Sequence, residues 1–342
     1  MARPITELAT RLGLLVLAAC GSSQPQPQRT CVVPAMGLPT DLYCTGLYDV
    51  HDESQYAADV MPYTPGVTLW SDGAEKHRFL HLPPGTTIDT SRQDAWSFPA
   101  GTKAWKEFIV DGVLTETRLF SKRDDGTWDA GTYIWDDTAT AATLYTAPKG
   151  MVLPSGYEIP GIKDCDKCHH GGSDRLLGVE AVALALPDAQ GATLTALAAA
   201  GALSNPPPTT TIQIPDDGTG KAAAALGYLH ANCGMPCHSS RGLGDETKLL
   251  MRLRADYFWP TTAPTTMLDG YTSTVNQQPT TAAIAQQFPG ALRITPGDHT
   301  KSLIWLVSHL RGNYQMPPLV SHKVDDVGTQ KLAAWIDALP PP

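Results

Sequence analysis

Between Tyr48 and Tyr145 the chain interleaves β-branched and aromatic residues with polar ones, and turn dipeptides cut the pattern into short stretches. A period of two predicts strands that turn one face to a core. Lys103–Val110 and Val113–Phe120 flank Asp111-Gly112, where Gly supplies the positive φ of a two-residue turn, so a β-hairpin is predicted. The chain reverses again at Asp125-Gly126 before Trp128–Trp135, which extends the hairpin into an antiparallel meander with a Trp- and Phe-rich core. Met151–Ile162, with four Pro or Gly residues, reads as irregular, and Gly171-Gly172 is a second break. Leu176–Leu186 gives a mixed pattern. Ala192–Leu203 reads as a helix, and Asn205-Pro206-Pro207-Pro208 after it reads as a domain boundary.

The last third switches to helical periodicity. Gly220–His230 is Ala-rich, with Leu226 and Leu229 on one side. Asp298 is placed to cap a helix reaching about Leu310, whose apolar face carries Leu303, Ile304, Leu306, Val307 and Leu310. A final helix begins near Asp325, carries the stripe Leu332, Trp335, Ile336 and Leu339, and stops at Pro340. The fold class is therefore α+β, with an antiparallel β-rich domain over 48–205 and a mainly helical domain over 206–342.

With 342 residues, 42% of them hydrophobic, the chain is long enough for two cores. A net charge of −9 without clustered Lys and Arg argues against nucleic acid as a partner. At the N-terminus, Arg3 and Arg11 precede the apolar run Leu12–Ala19, too short to span a bilayer but suited to an export signal over 1–20. Leu17-Ala18-Ala19-Cys20-Gly21 resembles a bacterial lipobox, which implies lipidation of Cys20 and a membrane anchor; a plain cleaved signal is the alternative. The stretch 21–47 reads as a tether, extended over Ser22–Arg29, in which Cys31 and Cys44 either form a disulfide or remain free thiols. These features predict the cell envelope, on its periplasmic side or outer surface.

The chemistry is concentrated in Cys165-Asp166-Lys167-Cys168-His169. In C-x-x-C-H, two thiols can bond one porphyrin's vinyl groups while the His lies under the iron, so this is a c-type haem site with His169 as proximal ligand. Zinc would need a second Cys pair of matching spacing, and a redox disulfide would need thioredoxin-like surroundings. Cys233-Gly234-Met235-Pro236-Cys237-His238 is one residue longer and reads either as a second haem site with His238 as ligand or as a disulfide beside an unrelated His. From about residue 219 onward, the order helix, Cys-Cys-His, helix, Met316-Pro317-Pro318, terminal helix resembles the cytochrome c superfamily. That resemblance implies a cytochrome c-like domain in which Met316 binds the second iron opposite His238, with Met316 as ordinary packing the alternative. Trp70-Ser71-Asp72, Phe79–Gly85, Phe98–Thr102 and Glu116–Phe120 are similar to a β-rich segment that precedes haem motifs in mostly uncharacterised bacterial c-type cytochromes.

No ligand opposite His169 is evident: His170, next to the proximal His, should point elsewhere, and His51, His77, His81 and Met151 are open, with His77 and His81 read as solvent-facing histidines. The leading expectation is an exported, lipid-anchored carrier of two covalent haems that passes single electrons between redox protein partners in the envelope, more an electron carrier than an enzyme. The alternatives are a di-haem peroxidase- or oxidase-like enzyme with an open first haem, or a haem module docked on a dehydrogenase through its β-rich domain.

Overall fold

Short polar turns between half-apolar strands leave each strand no partner nearer than the one before it, and the chain folds accordingly. The computed structural model describes residues 30–170 and 174–341. β1 (Met61–Thr64), β2 (Glu75–His81), β3 (Lys103–Val110), β4 (Val113–Lys122), β5 (Trp128–Trp135) and β6 (Ala142–Tyr145) follow one another as an antiparallel meander. A later strand, β9 (Gln190–Gly191), adds to the free edge of β1, giving the order β6-β5-β4-β3-β2-β1-β9. At the expected hairpin Val110 pairs with Val113, and the two turn residues take left-handed φ, 51° at Asp111 and 81° at Gly112.

The sheet is covered on both faces. On one, Phe79, Trp105, Leu119 and Tyr133 pack with Leu42, Leu47, Tyr48 and Val60 from the preceding chain. Trp105 Nε1 donates to Thr45 Oγ1 (3.0 Å) and Tyr133 OH to the Pro39 carbonyl (2.8 Å). A disulfide joins Cys31 to Cys44. Residues 38–47, expected to end a tether, thus belong to the fold, because Leu42 and Leu47 cover this face together with Tyr48 and Val60. The signal over 1–20, Cys20, the Ser22–Arg29 stretch and Gly171-Gly172 lie outside the described residues.

The other face meets the rest of the chain. Met151–Ile162, expected to be irregular, forms a two-stranded ribbon of β7 (Met151–Val152) and β8 (Glu158–Ile159) that leads into α1 (Ile162–His169). Then come α2 (Ala181–Ala185) and α3 (Leu194–Ala199), the latter shorter than expected because Thr193 caps it and Gly201 turns at φ 66°. α4 (Ala222–Leu229) passes into a π turn, His230–Gly234. α5 (Asp269–Thr272), α6 (Ala282–Gln287) and α7 (Leu303–His309) are short, and α8 (Asp326–Ala338) is the longest helix. Asp298 caps a single 3-10 turn, His299–Lys301, and α7 starts after it at Ser302. Asp325 caps α8 by accepting from Gly328 N (2.8 Å), and Leu332, Trp335 and Ile336 are buried along one stripe.

Residues 31–342 make one compact unit of α+β class. Its largest core draws Tyr63, Leu80 and Leu197 from one side of Asn205-Pro206-Pro207-Pro208 and Leu226, Trp335 and Leu339 from the other, so the two stretches share it. No helix among the described residues is long and apolar enough to cross a membrane.

Glu180 joins these parts. It caps α2 by accepting from Val182 N (2.8 Å) and Ala183 N (2.5 Å), and it accepts from His230 Nε2 (3.2 Å) across the core. Burial works to raise its pKa, but the hydrogen bonds from His230 and from the α2 amides outweigh it and hold the carboxyl below its ordinary 4.5. Glu180→Ala removes a cap and strands a buried imidazole, so we expect a loss of about 3 kcal/mol in denaturant unfolding. A folded-state pKa below the unfolded one means that the stabilisation is present above pH 4.5 and fades as pH falls below it. The variant should therefore show a flatter acid limb than the parent chain.

Candidate functional site

The first Cys pair lies inside an α-helix, so the turn geometry relates its members. In α1, with one hydrogen bond per four-residue step, His169 stands one turn beyond Cys165. The imidazole lies on Phe120 of β4, ring centroids 4.5 Å apart. Its Nδ1 donates to the Arg175 carbonyl at 2.6 Å. A carbonyl accepts only, so the proton is on Nδ1 and the Nε2 lone pair is free to bind a metal, the usual arrangement behind a ligating His. Burial drives the ring's pKa down to about 3, which keeps it neutral. Asp174 pins the chain that supplies this carbonyl: it accepts from Phe98 N (2.6 Å) and Trp128 Nε1 (2.6 Å) and pairs with Lys122 Nζ (2.5 Å).

The second motif solves its extra residue by widening the turn. His238 N donates to the Cys233 carbonyl at 2.8 Å, an i→i+5 bond, and Met235 N does the same to His230. Where α1 sets its His one α turn past the first Cys, this segment sets its His one π turn past the first Cys. Gly234 is needed here because any Cβ would lie 2.4 Å from Arg252 N. Asn232 ties the turn to the β1–β2 connection, accepting from Trp70 N (2.6 Å) and donating to the Tyr228 carbonyl (3.1 Å). His238 is 8% exposed, and its Nδ1 is buried without a hydrogen bond of normal geometry. Burial lowers its pKa, the Leu249 backbone partly offsetting this.

Cys165, Cys168, Cys233 and Cys237 are free, half-buried thiols, so no disulfide joins Cys233 to Cys237. Burial raises all four, Cys233 to about 12; Cys237 is pushed up to about 11 by burial and then by the charge of Cys168. That last effect places the two Cys pairs within electrostatic reach of each other. Thiols held protonated are poor exchange nucleophiles, but they keep the S–H that adds across a vinyl group. Among the described residues no three His, Cys, Asp or Glu side chains converge on a point that would hold a metal ion. The donor set thus fits c-type haem: two thiols and one imidazole at each motif, one imidazole already fixed in the ligating tautomer.

The candidates opposite the two proximal histidines are not brought into place. Met316 is 36% exposed in the loop after α7, where its amide donates to the Val307 carbonyl (2.8 Å). That loop is fastened further on by His322, whose Nε2 bonds Glu158 Oε2 (2.8 Å) and whose amide donates to Asp72 Oδ2 (2.8 Å). His77 is exposed beside Glu107, and His81, half-buried, faces Asp59; both point from the sheet face opposite Phe120 and His169. His51 and His170 are exposed.

Sequence reasoning passed over Glu180 and His230, joined across the core, and the cations Arg78, Lys106 and Arg118 on the inner sheet face. The cations occupy the same alternation class in three neighbouring strands, a pattern that in sequence reads as an ordinary solvent face. For the second motif the packing makes a sharp prediction. A Cβ at Gly244 would lie 2.7 Å from His238 Nδ1, so Gly244→Ala should cost about 1–3 kcal/mol in thermal unfolding and shift the His238 ring resonances in NMR, while those of His169 stay put. No protein-family model matches this chain, and neither a curated protein nor a solved structure is found significantly similar to it.

Proposed function

We propose that the chain is a two-haem c-type cytochrome: an exported, lipid-anchored electron carrier of the cell envelope, with a cytochrome c-like arrangement over 206–342. The observation that carries the reading is the equivalence of the two motifs, each a pair of free thiols with a His one hydrogen-bonded turn past the first Cys. Haem, when bound, supplies one-electron chemistry between ferric and ferrous iron. The residues do the rest. Cys165 and Cys168 hold one group and Cys233 and Cys237 the other, His169 and His238 are the proximal ligands, and Arg175 and Asp174 keep His169 in its tautomer. Met316 is proposed as the ligand opposite His238, which requires its loop to turn the exposed side chain inward. A thioether there raises the reduction potential. The signal over 1–20, lipidation at Cys20 and the redox protein partners belong to the same proposal.

Pyridine haemochrome absorbance of the denatured, dialysed chain should give two haems, falling to one in Cys165→Ser/Cys168→Ser and in Cys233→Ser/Cys237→Ser. A chain that carries none overturns the reading, and one that keeps a single haem in the parent restricts it to α1. Met316→Ala should abolish the near-infrared band of His/Met ligation and lower one of the two potentials. A first haem that stays low-spin and ignores cyanide and peroxide supports a carrier; turnover of peroxide there would make the protein an enzyme.

A further inference from the structure

Ladder partners in an antiparallel sheet share a face, and the register sets Arg78 opposite Lys106 and Lys106 opposite Arg118. Three cations therefore lie in a row across β2, β3 and β4 on the inner face, with Lys76 one step along β2. Like charges directly opposed destabilise a sheet, and burial strengthens the repulsion. Compensation inside the row stops at Arg118, whose Nε and Nη2 bond Glu116 Oε2 (3.0 Å) and Oε1 (2.5 Å); Tyr157 OH occupies the same carboxylate at 2.6 Å. Lys76 Nζ reaches only the Leu69 carbonyl (2.8 Å). Arg78, 5% exposed, makes one long bond from Nη1 to the Lys76 carbonyl (3.4 Å). Among the described residues no carboxylate pairs with Arg78 or Lys106. Lys122, further along β4, has Asp174.

The unpaired end of the row faces a narrow cleft lined by Arg78, Lys106, Val67, Leu177, His230 and Met235. His230 offers nothing there, since its Nδ1 accepts from Leu253 N (3.0 Å) and its Nε2 serves Glu180. One wall is the sheet and the other is the second motif, while the charges of Lys106 and Arg118 reach Cys168 of the first. Burial and the neighbouring cations hold Lys106 well below its ordinary pKa, so it can shed its charge; Arg78 cannot, and its fork is shaped for a carboxylate.

We propose that Arg78 and Lys106, the unpaired end of the row, form a carboxylate-binding site at the cleft between the inner sheet face and the second motif. Carboxylates can come from two sources: propionates of a group held at the Cys pairs, which rests on the haem reading, or a free dicarboxylate anion, which does not. The test uses full-length protein from cells with c-type maturation, in the parent and in Arg78→Gln and Lys106→Met, with Lys106→Arg as the charge-keeping control. Propionate binding predicts unchanged haem content, displaced propionate bending bands in resonance Raman, and a midpoint potential lower by about 59 mV, a tenfold shift in the ferric-to-ferrous ratio, recovered in Lys106→Arg. A free anion predicts instead that succinate binds the parent in calorimetry and binds Lys106→Met at least about tenfold more weakly, whether or not haem is attached. Absence of haem with succinate bound would refute the haem reading and leave the site standing. Unchanged potential and Raman bands together with no succinate binding would overturn the site.

Discussion

A slip of β4 by one residue against β3 would carry Leu119 to the inner face and bring Arg118 against Leu42, Leu47 and Tyr48. Both faces of this sheet are covered, so neither residue could escape to water. The register is held from two directions: by the turn at Asp111-Gly112 and by Trp105 Nε1 on Thr45, which keeps the outer face of β3 against the preceding chain. A further irregularity between Phe108 and Ile109 re-aims the end of the hairpin, so that Phe108 packs with Ala74, Tyr157 and Ile159 under the ribbon that leads to α1. The position of the first Cys pair depends on this pairing, because His169 rests on Phe120, and Phe120 faces inward only in this register.

The first motif segment is a short helical piece with no buried residue at all, whereas the second is mostly buried, with Asn232, Met235 and His238 inside. The first does not hold by burial, and polar pins replace it. Asp174 gathers a strand amide, an indole and an ammonium at the exit of the first motif, and Asn232 bridges three backbone positions at the entry of the second. Each such group satisfies buried polar atoms that would otherwise be costly, so the pins are specific to one position of the chain.

The strands and the helices of the last third were legible because their periodicities are long and their turn residues are unambiguous: Asp111-Gly112 and the stripe Leu332, Trp335, Ile336 both stand where the pattern puts them. Both Cys pairs were legible from spacing alone. Three things were not. The shared core across Asn205–Pro208 depends on what covers the inner sheet face, which no local pattern encodes. The fixed tautomer of His169 depends on a carbonyl six residues on, after a break that reads only as a turn. Cations in a strand ordinarily mark a solvent face, and Arg78, Lys106 and Arg118 look ordinary until both faces are found covered.

The π turn changes what counts as distance along such a motif. In residues, Cys233 to His238 is longer than Cys165 to His169; in hydrogen-bonded turns the two are equal. Residue number between the cysteines is then a loose coordinate that an insertion can alter at the cost of one wider loop, whereas turn number decides whether the imidazole still stands over its first cysteine. Pattern searches written in fixed residue counts will pass over relatives whose inserted residue has been absorbed in this way, and searches written in turns will keep them.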